Sequence, residues 1–368
     1  VETGVSTARN MAEQQARYNQ HTPNVRAVML IFAVSFAAAL LIVLTKPMHG
    51  SLTTRTAVTG HATHTKAIAR IGGLAILAGL AASRAVHPDV QLLHHALGFG
   101  SVAFAIGFIE DLSHRVSPLQ RLAMCSVAAG LAGVYGGHVI HRIDVPMIDP
   151  ILEIEIVGLF FTAFAVSGLC SAINMIDGKN GLAAGSVIAS LSGVLVLAGA
   201  TGQQDLEITA TSMILAALGF MFLNWPIGKI FMGDGGAYLL GFGLGLCLVE
   251  MPKEGSVSAW ASLVVVLYPV TEVLHSAYRR HSQRRRIDEP DQEHLHHLLQ
   301  SRLVDKLMSG WGRTSRNSAV APIGWLLSAI PVTWALAFRS QPTELMLGAV
   351  FYVVGYFGMH RILHRRQR

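Results

Sequence analysis

Charge is what this chain has least of. Only 14% of its 368 residues are Asp, Glu, Lys or Arg, against 52% hydrophobic, where ordinary globular usage has about a quarter charged. So few charges cannot clothe a water-facing surface, which argues against a soluble enzyme. The buried strands of a soluble α/β protein would also be apolar runs of about 4–8 residues, whereas many runs here reach helix length. Cysteine is nearly absent: Cys125, Cys170 and Cys247 all lie inside apolar segments. They read as small core residues, which argues against a disulfide framework or a thiolate metal site. The net charge of +6 would suggest nucleic acid in a soluble protein; here it suits cytoplasmic loops and contact with anionic membrane lipid.

A bilayer span needs roughly 20 apolar residues. Candidates are 27–44, 70–83, 92–109, 119–140, 155–176, 182–200, 208–223, 235–250, 259–277, 318–338 and 343–361, eleven in all. The expected fold is therefore all-α and polytopic. A polar segment over 1–26 precedes the spans and a basic tail over 362–368 follows them. The basic start shows no convincing small-residue cleavage site, so 27–44 reads as a first span rather than a removed leader. Alternating the spans puts 45–69, 110–118, 177–181, 224–234, 278–317 and the tail on one side, with 21 of the 28 Lys and Arg. The positive-inside rule makes that side cytoplasmic, with the N-terminus outside and the C-terminus inside.

The unusual polar strings fall on that same side: TGHATHTKAIARIGG at 59–73, IEDLSHR at 109–115, NMIDGKNG at 174–181, NWPIGKIFMGDGG at 224–236 and DQEHLHHL at 291–298. Charges avoid hydrocarbon anyway, but that alone leaves the plain opposite loops unexplained; a composite site accounts for both. Asp234, flanked by Gly233, Gly235 and Gly236, offers a carboxylate on uncrowded backbone. That suits Mg²⁺, which bridges carboxylates to substrate phosphate; a solvated helix entry is the plainer alternative. Glu110 and Asp111 are adjacent carboxylates that either end a helix at the water line or handle substrate and protons near a cation. Asn174 and Asp177 share a helix face, with Lys179 and Asn180 in the glycine turn that follows, groups able to read a nucleotide. His294, His296 and His297, with Asp291 just before them and Arg279 and Arg280 in the same long segment, suit phosphate better than a structural zinc.

In combination and order, NMIDGKNGLA, LNWPIGKIFMGDGG and HLHHL resemble the polyprenyl-phosphate N-acetylhexosamine-1-phosphate transferases, over about residues 27–361. The resemblance implies ten or eleven spans, a cytoplasmic active site in a bacterial inner membrane, and Mg²⁺, with Mn²⁺ as an alternative. It implies transfer of phospho-sugar from a UDP-N-acetylhexosamine to undecaprenyl phosphate with release of UMP, and no nucleic acid; a homodimer is left open. By the same resemblance Asp234 is the metal ligand, and Asp111, Glu110 and Lys66 are catalytic. Asn174, Asp177, Lys179, Asn180, Asn224, Lys229, Asp291, His294, His296, His297, Arg279 and Arg280 bind substrate. Glu110 stands where the family has Asp, Ala69 where it often has Pro, and Asn180 where it often has an acid. The competing class is a transporter or lipid flippase, which would carry its polar groups near the bilayer midplane in repeated, broken helices.

Overall fold

The computed structural model describes residues 25–53, 68–283 and 293–365. Lys66 and Asp291 therefore lie outside the described residues. The described chain is helical: α1 (Val25–Leu44), α2 (Lys46–Thr53), α3 (Gly73–Val86), α4 (Gln91–Gly98), α5 (Gly100–Ser113), α6 (Pro118–Gly136), α7 (Asp149–Leu152), α8 (Glu155–Ile176) and α9 (Leu182–Thr201) come first. They are followed by α10 (Gln204–Asn224), α11 (Gly233–Glu250), α12 (Ala259–Val265), α13 (Leu267–Ser282), α14 (Leu295–Leu299), α15 (Asp305–Leu307), α16 (Arg313–Ser318), α17 (Ala321–Ala337) and α18 (Pro342–Arg365).

Seven of these rods, counting α4–α5 and α16–α17 as one each, are long and apolar enough to cross a membrane, eight if the bent pair α12–α13 is one span. The protein is thus an all-α, multi-pass membrane protein. Three more rods, α3, α6 and α11, run among them. Helix ends follow local chemistry. A capping box between Ser117 and Gln120, with Pro118 at the first position, starts α6, and left-handed Gly202 ends α9.

Helix α11 is the axis of the bundle, buried at every position from Gly233 to Val249. Its neighbours include α5, α8 and α3, and small residues let the backbones close up, as membrane helices without a hydrophobic drive between them require. A Cβ on Gly107 of α5 would lie 2.6 Å from the carbonyl carbon of Asp234, and one on Gly73 of α3 would lie 2.5 Å from the Cα of Gly236.

Two prolines remove a backbone donor from the helix ladder, and in both cases a neighbouring side chain takes up the carbonyl left free. The sequence suggests one span over 259–277, but α12 and α13 meet at 74°. Pro269 has no N–H to offer the carbonyl of Val265, and the Ser190 hydroxyl donates to that oxygen instead, at 2.9 Å. In α17, Pro331 likewise leaves the Leu327 carbonyl free, and the Tyr352 hydroxyl of α18 donates to it at 3.0 Å. The segment 278–317, read from sequence as a loop, is largely helical where it is described: α13 runs to Ser282, and α14 to α16 occupy much of 295–318.

Candidate active site

The ends of α5 and α8 and the starts of α6 and α11 meet at one end of the bundle, and there the polar strings converge. Chain segments 69–73 and 231–233 approach as a short ladder: Phe231 N donates to the Ala69 carbonyl at 2.9 Å and Gly72 N donates to the Phe231 carbonyl at 2.9 Å. Gly233 then turns the chain into α11 with φ of 77°, a conformation in which a Cβ would press on the Asp111 carboxylate. Asp111 does the work of an N-cap from another helix. Its Oδ1 accepts from Asp234 N at 2.9 Å and its Oδ2 from Gly235 N at 3.0 Å, two donors that the first turn of α11 would leave unpaired. At 3% exposure Asp111 is packed rather than perched at a water line.

Fixed in this way, Asp234 points its carboxylate at two guanidinium groups. Arg121 of α6 donates to Oδ2 in a close ion pair, and Arg70 lies 3.7 Å from Oδ1. Arg70, Glu110, Asp111, His114, Arg121, Asn174 and Asp234 line a cavity of about 180 Å³. Glu110 Oε2 accepts from Val116 N at 2.8 Å, closing the turn after α5, where His114 sits in the left-handed region at φ of 53°.

Asp177 ends α8 beside this cavity. Burial pushes its carboxyl well above the ordinary range; Arg70 opposes the shift, and Asp234 and Asp111 add to it. The next residue packs on the histidine segment, since a Cβ on Gly178 would collide with the His296 ring. Lys179 is buried, and burial lowers its ammonium to about 8, against an opposing pull from Asp305. His296 is 1% exposed and its Nδ1 has no hydrogen-bond partner among the described residues. Burial, then His297, His294 and Lys179, hold it well below the usual imidazole range, as the neutral ring.

Other residues singled out in the sequence are engaged with the protein itself. Asn180 N donates to Asn317 Oδ1 at 2.9 Å and its side-chain amide to the Ser318 hydroxyl at 3.0 Å. Asn224 accepts from Gly181 N at 2.6 Å and donates to the Ile230 carbonyl at 2.7 Å. Arg279 donates to the Glu293 carbonyl at 3.0 Å, and His294 Nδ1 faces Glu272 at 3.1 Å. The His297 ring lies tilted against that of His296, with centroids 4.3 Å apart. Arg280 is half-buried on α13, and Lys229 is exposed in the turn before α11.

Sequence reasoning did not select Arg70, Arg121, His114 or Glu272. A signal existed for two of them: Arg121 and Glu272 are charges inside apolar helices, which membrane proteins rarely tolerate without purpose. Among the described residues no three His, Cys, Asp or Glu side chains converge closely enough to hold a metal by themselves. The donors on the cavity are mainly hard oxygens, from Glu110, Asp111, Asp234 and Asn174, a set that suits Mg²⁺ held partly by substrate phosphate.

Buried acids and arginines around a small polar cavity at the helix ends of a multi-pass bundle are the makings of a membrane-embedded site for anionic substrates. The profile of glycosyl transferase family 4 matches residues 93–251, which hold α5, α6, α8 and α11 and all the cavity residues except Arg70. A probable undecaprenyl-phosphate N-acetylglucosaminyl 1-phosphate transferase of Bacillus subtilis (strain 168) is 26% identical over 296 residues, 79% of this chain and 79% of that protein. The undecaprenyl-phosphate alpha-N-acetylglucosaminyl 1-phosphate transferase of Escherichia coli (strain K12) is 28% identical over 244 residues, 64% of this chain and 66% of that protein. A phospho-N-acetylmuramoyl-pentapeptide-transferase of Streptococcus pneumoniae serotype 19F (strain G54) is 29% identical over 177 residues, 45% of this chain and 51% of that one. Residues 93–251 are thus similar to glycosyl transferase family 4.

Proposed function

We propose that this protein transfers N-acetylhexosamine-1-phosphate, as GlcNAc-1-phosphate or that of a related sugar, from a UDP-sugar to undecaprenyl phosphate and releases UMP. This reaction initiates O-antigen or exopolysaccharide synthesis. The observation that carries the reading is the cavity at Asp234, where two arginines and three carboxylates meet at helix ends. A lipid phosphate lying in the bilayer surface can reach such a place, and a diphosphate needs both the arginine cations and a metal ion that the Asp234 carboxylate would help to hold. A transporter would carry its charges nearer mid-bilayer.

In this reading a phosphate oxygen of the lipid attacks the β-phosphorus of the UDP-sugar. The bond from that phosphorus to the bridging oxygen breaks, and UMP leaves with the electron pair. Asp234, with Glu110 and the Asn174 amide oxygen, holds Mg²⁺ or Mn²⁺, which when bound screens the diphosphate charge. Arg70 and Arg121 hold the Asp234 carboxylate and offer their remaining N–H groups to phosphate oxygens. Asp111 sets the start of α11 and so the aim of Asp234. Asp177, Lys179, His296 and His297 line the approach for the nucleotide. Asn180, Asn224, Arg279 and His294 position that approach through their bonds to the protein, and Lys229 and Arg280 add positive charge around it. Lys66, as a catalytic group, and Asp291, as a substrate ligand, lie outside the described residues.

The rods α3, α6 and α11 complete eleven spans within a transmembrane domain over 27–361, with the N-terminus outside and the cavity on the cytoplasmic face of the bacterial inner membrane. The 21-to-7 partition of basic residues supports that orientation. Single cysteines replacing Ser113 and Ser256 test it: an impermeant maleimide should label Ser256→Cys in intact cells and Ser113→Cys only after lysis. The reaction is tested by Mg²⁺-dependent UMP release from detergent-solubilised protein. Release that requires undecaprenyl phosphate is expected; release indifferent to the lipid, or none, would overturn the proposal.

A further inference from the structure

A carboxylate that the reaction does not use is buried on α13. Glu272 is 1% exposed, and a buried charge is costly unless it is paired. Its partners come from the start of α14 and from α18. Its Oε1 accepts from Leu295 N at 3.2 Å and faces His294 Nδ1 at 3.1 Å, while its Oε2 accepts from the Tyr356 hydroxyl of α18. Leu295 N is the first amide of α14, whose own N-cap residue, His294, makes no capping bond. Glu272 therefore caps α14 from a different helix.

A second grip lies two turns along the same face of α13. Arg279 Nη1 donates to the Glu293 carbonyl at 3.0 Å, and its Nε is 3.2 Å from the Glu293 carboxylate. On α18, Tyr356 and His360 are four residues apart, hence neighbours on one face. Tyr356 serves Glu272, and His360 Nε2 lies 3.3 Å from Arg279 Nη1 and 2.9 Å from the Glu293 carbonyl. Residues 293–295 are thus held at two points, each made jointly by α13 and α18. Immediately after them comes His296, whose ring rests on Gly178 beside Lys179.

We propose that Glu272, backed by Tyr356, is a positioning residue for the reaction: it fixes the start of the histidine segment and so sets His296 against the Asp177–Gly178–Lys179 turn. The inference rests on the transferase reading for its effect on turnover, and on the hydrogen bonds alone for its effect on the segment.

Two measurements on the full-length protein test it. Hydrogen exchange of the Leu295–Leu299 amides requires no substrate. In Glu272→Gln, where one amide oxygen replaces two acceptors, exchange there should quicken at least ~10-fold, with a smaller rise in Tyr356→Phe, a milder change should the first variant fold poorly. Turnover is then compared in Glu272→Gln, His296→Ala and the double variant. If Glu272 acts through His296, kcat/KM for the UDP-sugar falls on the order of 10-fold in Glu272→Gln, and the double variant loses no more than His296→Ala alone. Unchanged exchange in both Glu272→Gln and Tyr356→Phe, or losses that multiply in the double variant, would overturn the proposal. A wild-type protein that releases no UMP would instead defeat the function proposed above, while the exchange result still decides the clamp.

Discussion

The two ends of α11 carry the same kinds of side chain and use them differently. At one end Asp234 pairs with Arg121 and Arg70 on the wall of a cavity of about 180 Å³. At the other, Glu250 accepts from His138 Nδ1 at 2.6 Å and Lys253 Nζ at 2.5 Å, His138 Nε2 meets His95 Nδ1 at 2.8 Å, and Lys253 also donates to the Gly137 carbonyl at 2.8 Å. The Glu250 chain ties α4, α11 and the turns after α6 and α11 by consuming its own charges. At the Asp234 end the charges face a space. A buried ion pair alone therefore does not mark a site; one that borders a polar cavity does.

The sharpest way to break this contrast is at Asp111. Asn offers one acceptor where Asp111 offers two, so Asp111→Asn leaves an amide of α11 unpaired, at a cost of about 1–3 kcal/mol, and lets Asp234 drift. Turnover should fall by at least ~100-fold with a lower Tm, measured as UMP release and by thermal unfolding in detergent. An unshifted Tm would mean that the α11 cap is not what Asp111 supplies. Gly107→Ala should act through the same contact with no charge change. The added Cβ meets the Asp234 backbone, at about 1–3 kcal/mol of strain, and a roughly tenfold loss of turnover is expected. Wild-type turnover would show that α5 can yield without moving the site.

Lys179 sharpens the comparison by pH. Its ammonium, lowered to about 8 by burial, loses its proton as pH rises through that value. KM for the UDP-sugar should therefore rise above pH ~8, by at most tenfold per unit, and Lys179→Met should show the high KM at every pH. A KM that is flat across pH 7–9 in the wild type would remove the charge of Lys179 from binding. The smallest effect is expected at the far end. Glu250→Gln should leave turnover within about twofold while lowering stability by ~1–3 kcal/mol. A large loss of activity there would dissolve the distinction between the two ends.

Much of this was legible in the sequence, because bilayer thickness sets helix length and charges must leave the hydrocarbon. The span expected over 155–176 is α8 (Glu155–Ile176), and that over 182–200 is one residue short of α9 (Leu182–Thr201). The bend at Val266 was not legible, since it depends on whether Ser190, from another helix, is there to accept the consequences of Pro269. For the site, the sequence could nominate Asp234, Asp111 and Asn174 by their strings, but not that Arg121, 113 residues away in sequence, closes on Asp234. It also could not separate groups that face the cavity from Asn180 and Asn224, whose amides are spent on Ser318, Gly181 and Ile230. That distinction lies in tertiary geometry, which motif spacing does not encode.

The central claim, that the Asp234 end of α11 is where the UDP-sugar and the lipid phosphate react, is tested most directly by UMP release from Asp234→Asn protein, with undecaprenyl phosphate saturating and Mg²⁺ titrated. The account predicts turnover at least ~100-fold below wild type, with any residual activity needing more Mg²⁺. Turnover within a few-fold of wild type, with the same Mg²⁺ dependence, would contradict it.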